Sequence, residues 1–244
     1  MAGTTQTFKP AAAPRGHRYF RRRYVWQWPI RIFHWATAIS VFGLFATGLY
    51  MAFPVLVPSG EPWNNFVQAN ARKVHFMFAY VLLVAFLWRS YWFWMGNNFA
   101  RSGFPRVWRR AWWNDLFRQA WDYLKLERGH VHLGHNALAG LAYTIGVIGL
   151  GWIQIFVGFA LYSQSDPGGF WGVTLGWVLW AMGGAFPALM WHHLFAWLFM
   201  VFAILHVYIV FYDGQQFKNG LVTSMVSGEK FYEDRDIDAN TWIS

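Results

Sequence analysis

The sequence predicts an all-α integral membrane protein, a bundle of four transmembrane helices with both termini on the cytoplasmic side. Three observations carry this reading. Of 244 residues, 56% are hydrophobic and only 13% charged, where a soluble domain carries about 25% charged residues. No Asp, Glu, Lys or Arg occurs between Ile32 and Gly60, between Gly129 and Ser165, or between Pro167 and Tyr212, and uncharged runs of that length belong in a bilayer. The basic residues, finally, crowd into some connections and avoid others. Lys and Arg outnumber Asp and Glu by 20 to 11, but the long apolar runs argue against nucleic-acid binding. Cysteine is absent, which excludes disulfides, thiolate metal sites, iron–sulfur clusters on this chain and thioether-linked haem.

The chain divides into a basic segment at 1–25, a membrane domain at 26–213 and a polar tail at 214–244. The basic start does not read as a cleavable signal, because the apolar run after it is too long and no small-residue cleavage site follows. Spans are expected at about 29–53, 74–95, 137–162 and 188–212, each long enough for a core of about 30 Å at about 1.5 Å per residue. Arg89, near the end of the second, is expected to snorkel to the interface. Phe170 to Pro187 is apolar but interrupted by glycines and reads as an interfacial loop, with a fifth helix as the alternative.

Lys9, Arg15, Arg18 and Arg21 to Arg23 precede the first span. Arg101, Arg106, Arg109, Arg110, Arg118, Lys125 and Arg128 lie between the second and third. The connection between the third and fourth has none, and that between the first and second has only Arg72 and Lys73 at its end. Basic loops stay inside, so the termini and the 2–3 connection are assigned to the cytoplasm. Within that connection, Trp113, Leu116, Phe117, Ala120 and Leu124 recur at helical spacing, which predicts a helix over Trp112 to Leu126 on the inner membrane surface. The tail, acidic from Glu229 to Asp238, is expected to be exposed.

Ionisable residues inside a membrane are costly and point to function. His34, His75, His192, His193 and His206 fall within the spans. His192 and His206 are 14 residues apart, nearly four turns, so they share a helix face and stand roughly 21 Å apart along the axis. His193 lies about 100° round from His192 and reads as structural. Depth pairs His34 with His206 near the cytoplasm and His75 with His192 near the outer face. Two bis-imidazole sites stacked in a four-helix bundle are what two b haems require; zinc would want a third ligand at either depth. Arg31 and Arg72 each precede a histidine by three residues and are candidate propionate partners, or equally snorkelling arginines. Gly43, Gly48, Gly146, Gly149 and Gly158 would admit a flat macrocycle, or serve as small-residue helix contacts. His130, His132 and His135 read as a solvated interface loop without a nearby carboxylate, and His17 has no special claim.

The chain resembles the b-type cytochrome subunit of membrane-bound nickel–iron uptake hydrogenases. The resemblance rests on Arg31-Ile32-Phe33-His34-Trp35, Arg72 with His75, Gly134-His135-Asn136, and Gly158 through Ser163. It continues in Trp191-His192, His206-Val207-Tyr208 and Thr223 through Gly228, covering about 24–232. It implies a di-haem electron-transfer subunit in the bacterial inner membrane. Its partners would be an iron–sulfur small subunit, a nickel–iron large subunit where hydrogen is activated, membrane lipid and a quinone, with room for a dimer of the whole complex. The same resemblance carries over His34, His75, His192 and His206 as axial ligands, and gives His135 a structural or quinone-related role. The related membrane cytochrome of formate dehydrogenase places the quinone on the cytoplasmic side, near Arg89, Tyr91 and Trp92. Two readings stay open beside it. One is the cytochrome subunit of a formate dehydrogenase or sulfur-compound reductase; the other is a haem-free transporter or scaffold.

Overall fold

Four helices among the described residues are long and apolar enough to cross a membrane: Trp28–Ala52, Val67–Met95, Ala137–Ser165 and Ala185–Phe217. The computed structural model describes residues 20–55, 61, 66–125 and 132–232. Lys9, Arg15, His17, Arg18, Arg128, His130 and the tail beyond Tyr232 lie outside the described residues.

Local chemistry sets the ends of each span. Pro29 opens the first, where its fixed φ suits a helical first turn. Phe53 leaves the helix with φ −134°, as the residue before Pro54 must tend to do. The second span stops at Gly96, and Asn97 at once caps the short helix Asn98–Arg101, its side chain accepting from the Ala100 N–H at 3.0 Å. Asn136 caps the third span the same way, accepting from the Ala139 N–H at 2.7 Å. That span passes through a π-helical stretch, Tyr143–Gly149, a departure that recurs at functional sites. Gly183 and Gly184, at φ 82° and 115°, turn the chain into the fourth span as residues with a Cβ rarely could.

The first two spans form a tight antiparallel hairpin that continues onto the third. Phe33, Leu82, Ala85, Phe86, Ile155 and Phe159 form its central cluster. Phe78 lies over Gly43 and Phe86 over Gly151, so these two glycines serve close helix approach. The fourth span stands further off. Only Ala188 and Phe199 of its residues are buried, and much of the remainder is exposed apolar surface of the kind that faces lipid.

Several expectations are corrected here. Phe170–Ala181 is a helix, not a loop; at 12 residues it is about 18 Å long, too short to span. It packs on the third span through Trp171 and Phe159, stacked at 4.2 Å. Part of the polar tail is folded rather than exposed. A short helix, Leu221–Ser227, leads into strand β2, Glu229–Tyr232, which pairs antiparallel with β1, Arg21–Tyr24. The pairing sets Arg22 opposite Phe231 and Tyr24 opposite Glu229. Ser224 and Lys230 are buried. Both strands, the 2–3 connection and the start of the third span share one end of the bundle, called the strand end below.

The surface helix of the 2–3 connection runs Arg110–Lys125. Its inner face carries Leu116 and Gln119, both buried, and Tyr123, whose hydroxyl donates to Asp213 Oδ2 at 2.6 Å. Trp113, Phe117, Trp121 and Leu124 are exposed on the other face, the pattern of a helix lying in a membrane interface.

Candidate functional site

The four intramembrane histidines chosen by depth meet in two pairs. His34 and His206 have ring centroids 6.2 Å apart and planes at 52°. His75 and His192 are 6.4 Å apart at 61°. His193 stands outside both pairs. Two imidazoles bonded through nitrogen to one metal at about 2 Å, with about 1.1 Å from nitrogen to ring centre, would stand about 6.3 Å apart. Both pairs match that separation. His34 Nδ1 and His192 Nδ1 are buried without a hydrogen-bond partner, and His192 Nε2 lies 3.5 Å from the Gln154 amide nitrogen. No three His, Asp or Glu converge as a metal cage among the described residues. Each pair offers two imidazoles facing one another, a donor set that fits a macrocycle-bound iron.

The surroundings differ between the pairs. At the far end, a Cβ on Gly48 would sit 3.4 Å from His75 Cε1, and one on Gly158 would sit 3.1 Å from His192 Cε1. These two glycines therefore keep backbone close to the imidazoles. Thr47 Oγ1 lies 2.9 Å from His75 Nδ1, and the Gln154 amide donates to the His192 carbonyl at 3.1 Å. At the strand end, Phe202 stacks on His206 at 5.7 Å and 11°, in the space that Gly146 leaves at 3.5 Å. Trp35 meets His34 edge-on at 5.1 Å. Its Nε1 donates to the Met225 carbonyl at 3.0 Å, and Arg31 donates to the Val226 carbonyl. The tail helix thus holds residues on both sides of His34. Gly149 faces the Thr144 carbonyl and reaches neither pair.

The arginine expectations resolve in different ways. Arg31 is tied to the tail, with its Nε buried and unpartnered. Arg72 lines an open cavity of about 410 Å³ with Lys73, Phe76 and Tyr80. Arg89 does not snorkel. It is 4% exposed and turns inward, because the 2–3 connection folds back and supplies better acceptors than the interface would. Its Nη2 donates to the Ala100 carbonyl at 2.6 Å and its Nε to the Tyr143 hydroxyl at 2.7 Å, with Phe104 and Tyr143 rings beside it. Trp92 donates instead to Gln27 at 3.1 Å, and Tyr91 is exposed. The Tyr91 and Trp92 rings lie 6.4 Å apart, while Arg89 turns to Ala100 and Tyr143.

The His132 and His135 reading is also corrected. His135 lies between the Trp26 and Tyr143 rings, both at 5.2 Å, with Nδ1 3.1 Å from Ser102 Oγ. Burial, then the nearby Lys230 and Arg89 charges, hold its pKa well below the ordinary histidine range. His132 does have a carboxylate: Asp115 Oδ2 is 3.4 Å from its Nε2. Sequence spacing hid this partner because it arrives from the surface helix. Burial would raise the Asp115 pKa, but hydrogen bonds from His132, the Ala137 N–H and Arg118 bring it down to about 2. Lys230, 3% exposed, lies 5.4 Å from the Trp26 ring, and burial lowers its pKa to about 8. Sequence reading overlooked Lys230 and Thr47. Thr47 carries one usable signal, a hydroxyl in the first span at the depth of His75; Lys230 carries none.

A multi-pass helical bundle with facing histidine pairs at two depths defines the class of membrane cytochromes. The chain belongs to the prokaryotic cytochrome b561 family, whose family model matches residues 25–228. It is 36% identical over 215 residues to a protein of Azotobacter chroococcum named "Probable Ni/Fe-hydrogenase B-type cytochrome subunit", covering 86% of this chain and 89% of that one. A protein of the same name from Cupriavidus necator is 31% identical over 237 residues, 96% of each chain. One from Escherichia coli, named for Ni/Fe-hydrogenase 1, is 31% identical over 215 residues, 86% of this chain and 91% of its own. The resemblance expected from the sequence motifs is therefore found along most of the chain. Membership makes this a multi-pass b-type cytochrome whose work is electron transfer, and displaces the haem-free transporter reading.

Proposed function

We propose that this chain is the membrane-anchoring cytochrome of a nickel–iron hydrogenase complex in the bacterial inner membrane. It would pass electrons from an iron–sulfur small subunit, beside the large subunit, to a quinone. The observation that carries the proposal is the pair of ring separations, 6.2 and 6.4 Å, each suited to one iron between two imidazoles. Held there, a b haem supplies a one-electron Fe(III)/Fe(II) couple. His75 and His192 hold the far-end group, and His34 and His206 the strand-end group. With two imidazoles given to each iron, these residues would leave it no open position for oxygen or small substrates. The stacked Phe202 and the edge-on Trp35 keep the strand-end imidazoles in fixed planes. Arg31 and Arg72, one turn from their histidines, are proposed to face propionates.

The strand end is assigned to the cytoplasm, because Arg21 to Arg23, Arg101, Arg106, Arg109 and Arg110 gather there. The far end then meets the iron–sulfur partner, and quinone reduction falls at the strand end. The test is a reduced-minus-oxidised visible spectrum with haem quantitation on the purified chain. About two b haems per chain are expected, together with co-purification of a nickel-containing large subunit. No haem in a folded preparation would overturn the di-haem reading. Co-purification with a formate or sulfur-compound oxidoreductase would overturn the choice of partner.

A further inference from the structure

We propose that Thr47 is the positioning residue of the far-end pair: it fixes His75 as the Nδ1–H tautomer and strengthens it as an electron donor. The inference rests on the reading of His75 as a haem ligand.

The tautomer follows from the hydrogen-bond network. A threonine hydroxyl has one hydrogen to give. Thr47 Oγ1 lies 2.6 Å from the Gly43 carbonyl and 3.2 Å from that of Leu44, and carbonyls only accept. The hydroxyl hydrogen is therefore committed to its own helix, the usual back-bond to the residue four earlier. What remains on Oγ1 is lone pair. The 2.9 Å contact with His75 Nδ1 must then be an N–H donated by the imidazole. Nε2 is left as the nitrogen with a lone pair, the form a metal requires.

The neighbouring backbone tightens the fit. A Cβ at Gly48, the next residue of the same turn, would sit 3.4 Å from His75 Cε1, so residues 47 and 48 flank His75 from one side. His34 and His192 lack an equivalent, since their Nδ1 atoms are buried without a partner. A hydrogen bond from the distal ring N–H raises the basicity of the ligating nitrogen. It stabilises the more positive, oxidised iron and lowers the reduction potential. Of His34, His75 and His192, only His75 has this support.

The experiment uses the full chain in its membrane complex, with Thr47→Val removing the hydroxyl at constant shape and Thr47→Ser restoring it. Haem content, potentiometric titration of the b-haem absorbance and low-spin electron paramagnetic resonance are read. The far-end signal is identified as the one lost in His192→Ala. In Thr47→Val its potential should rise and its g-anisotropy change while the other haem is unmoved, and Thr47→Ser should match the parent protein. Selective loss of the far-end haem in Thr47→Val, restored by Thr47→Ser, supports the same role. Unchanged potentials and spectra in Thr47→Val, a shift at the other haem, or failure of Thr47→Ser to restore would each overturn it. A parent protein without two haems would instead overturn the di-haem reading itself.

Discussion

The two histidine pairs are alike in separation and unlike in how they are held. The far-end pair is gripped within the bundle: Thr47 on His75, the Gln154 amide on the His192 backbone, and two glycines against the rings. The strand-end pair is gripped from outside the spans. Trp35 and Arg31 are tied to carbonyls of the tail helix, and Phe202 lies flat on His206. Geometry in a bundle can thus be fixed by polar contacts between spans, or by a clasp that draws the ends of the first and fourth spans together. The first kind forms as soon as the spans associate. The second depends on a tail that follows the last span in the chain.

The largest expected effect separates the pairs outright. His75→Ala and His206→Ala should each cost one of two haems and leave the other signal intact, measured as haem per chain and by spectrum. Loss of both from either variant would mean the sites are not independent. Next comes Arg89→Met, which leaves the Ala100 carbonyl and Tyr143 hydroxyl without their donor. Breaking a buried charged network of this kind costs about 3 kcal/mol, read as a fall in the thermal midpoint in detergent. The strand-end haem should loosen before the far-end one.

Gly228→Ala tests the clasp more gently. Gly228 holds φ 83° and its carbonyl accepts from Val25 N and Trp26 N at 2.8 and 3.0 Å. A side chain there would cost about 1–2 kcal/mol and meet Tyr24 and the Trp26 carbonyl. Thermal stability should fall while the far-end spectrum stays fixed. The smallest effect concerns Asp115. Its pKa of about 2 in the fold lies below the ordinary value of about 3.9. Its contribution to stability is complete above that ordinary value and is lost as pH falls toward 2. Asp115→Asn should therefore lower the melting temperature modestly at pH 7 and progressively less as pH falls from about 4 toward 2, so that the variant's acid limb is flatter in melting curves at stepped pH.

The spans were legible because apolar length and the 3.6-residue period act locally. The same period, with depth, picked out the histidine pairs that the structure brings together. What stayed hidden depends on distant partners. Arg89 reads as a snorkelling residue until the 2–3 connection folds onto it. Asp115 reaches His132 only because the surface helix docks through Leu116, Gln119 and Tyr123. Two four-residue strands rich in charge, at opposite ends of the chain, carry no alternating pattern long enough to announce their pairing. The helix at Phe170–Ala181 was concealed by Gly172 and Gly176, whose cost to a helix is recovered by packing on the third span.

That strand pairing also sets an order of assembly. Arg21 leaves the ribosome early, yet its partner is Tyr232, and every transmembrane segment is made in between. No register for β1 exists until Glu229 to Tyr232 have been made. The ties from Arg31 and Trp35 to the tail wait equally long. The far-end site can be completed once the fourth span has inserted, whereas the strand-end site closes only after the tail helix has been made. A chain stalled before the tail would thus be left with its strand end unlatched, a built-in mark by which quality control could recognise it.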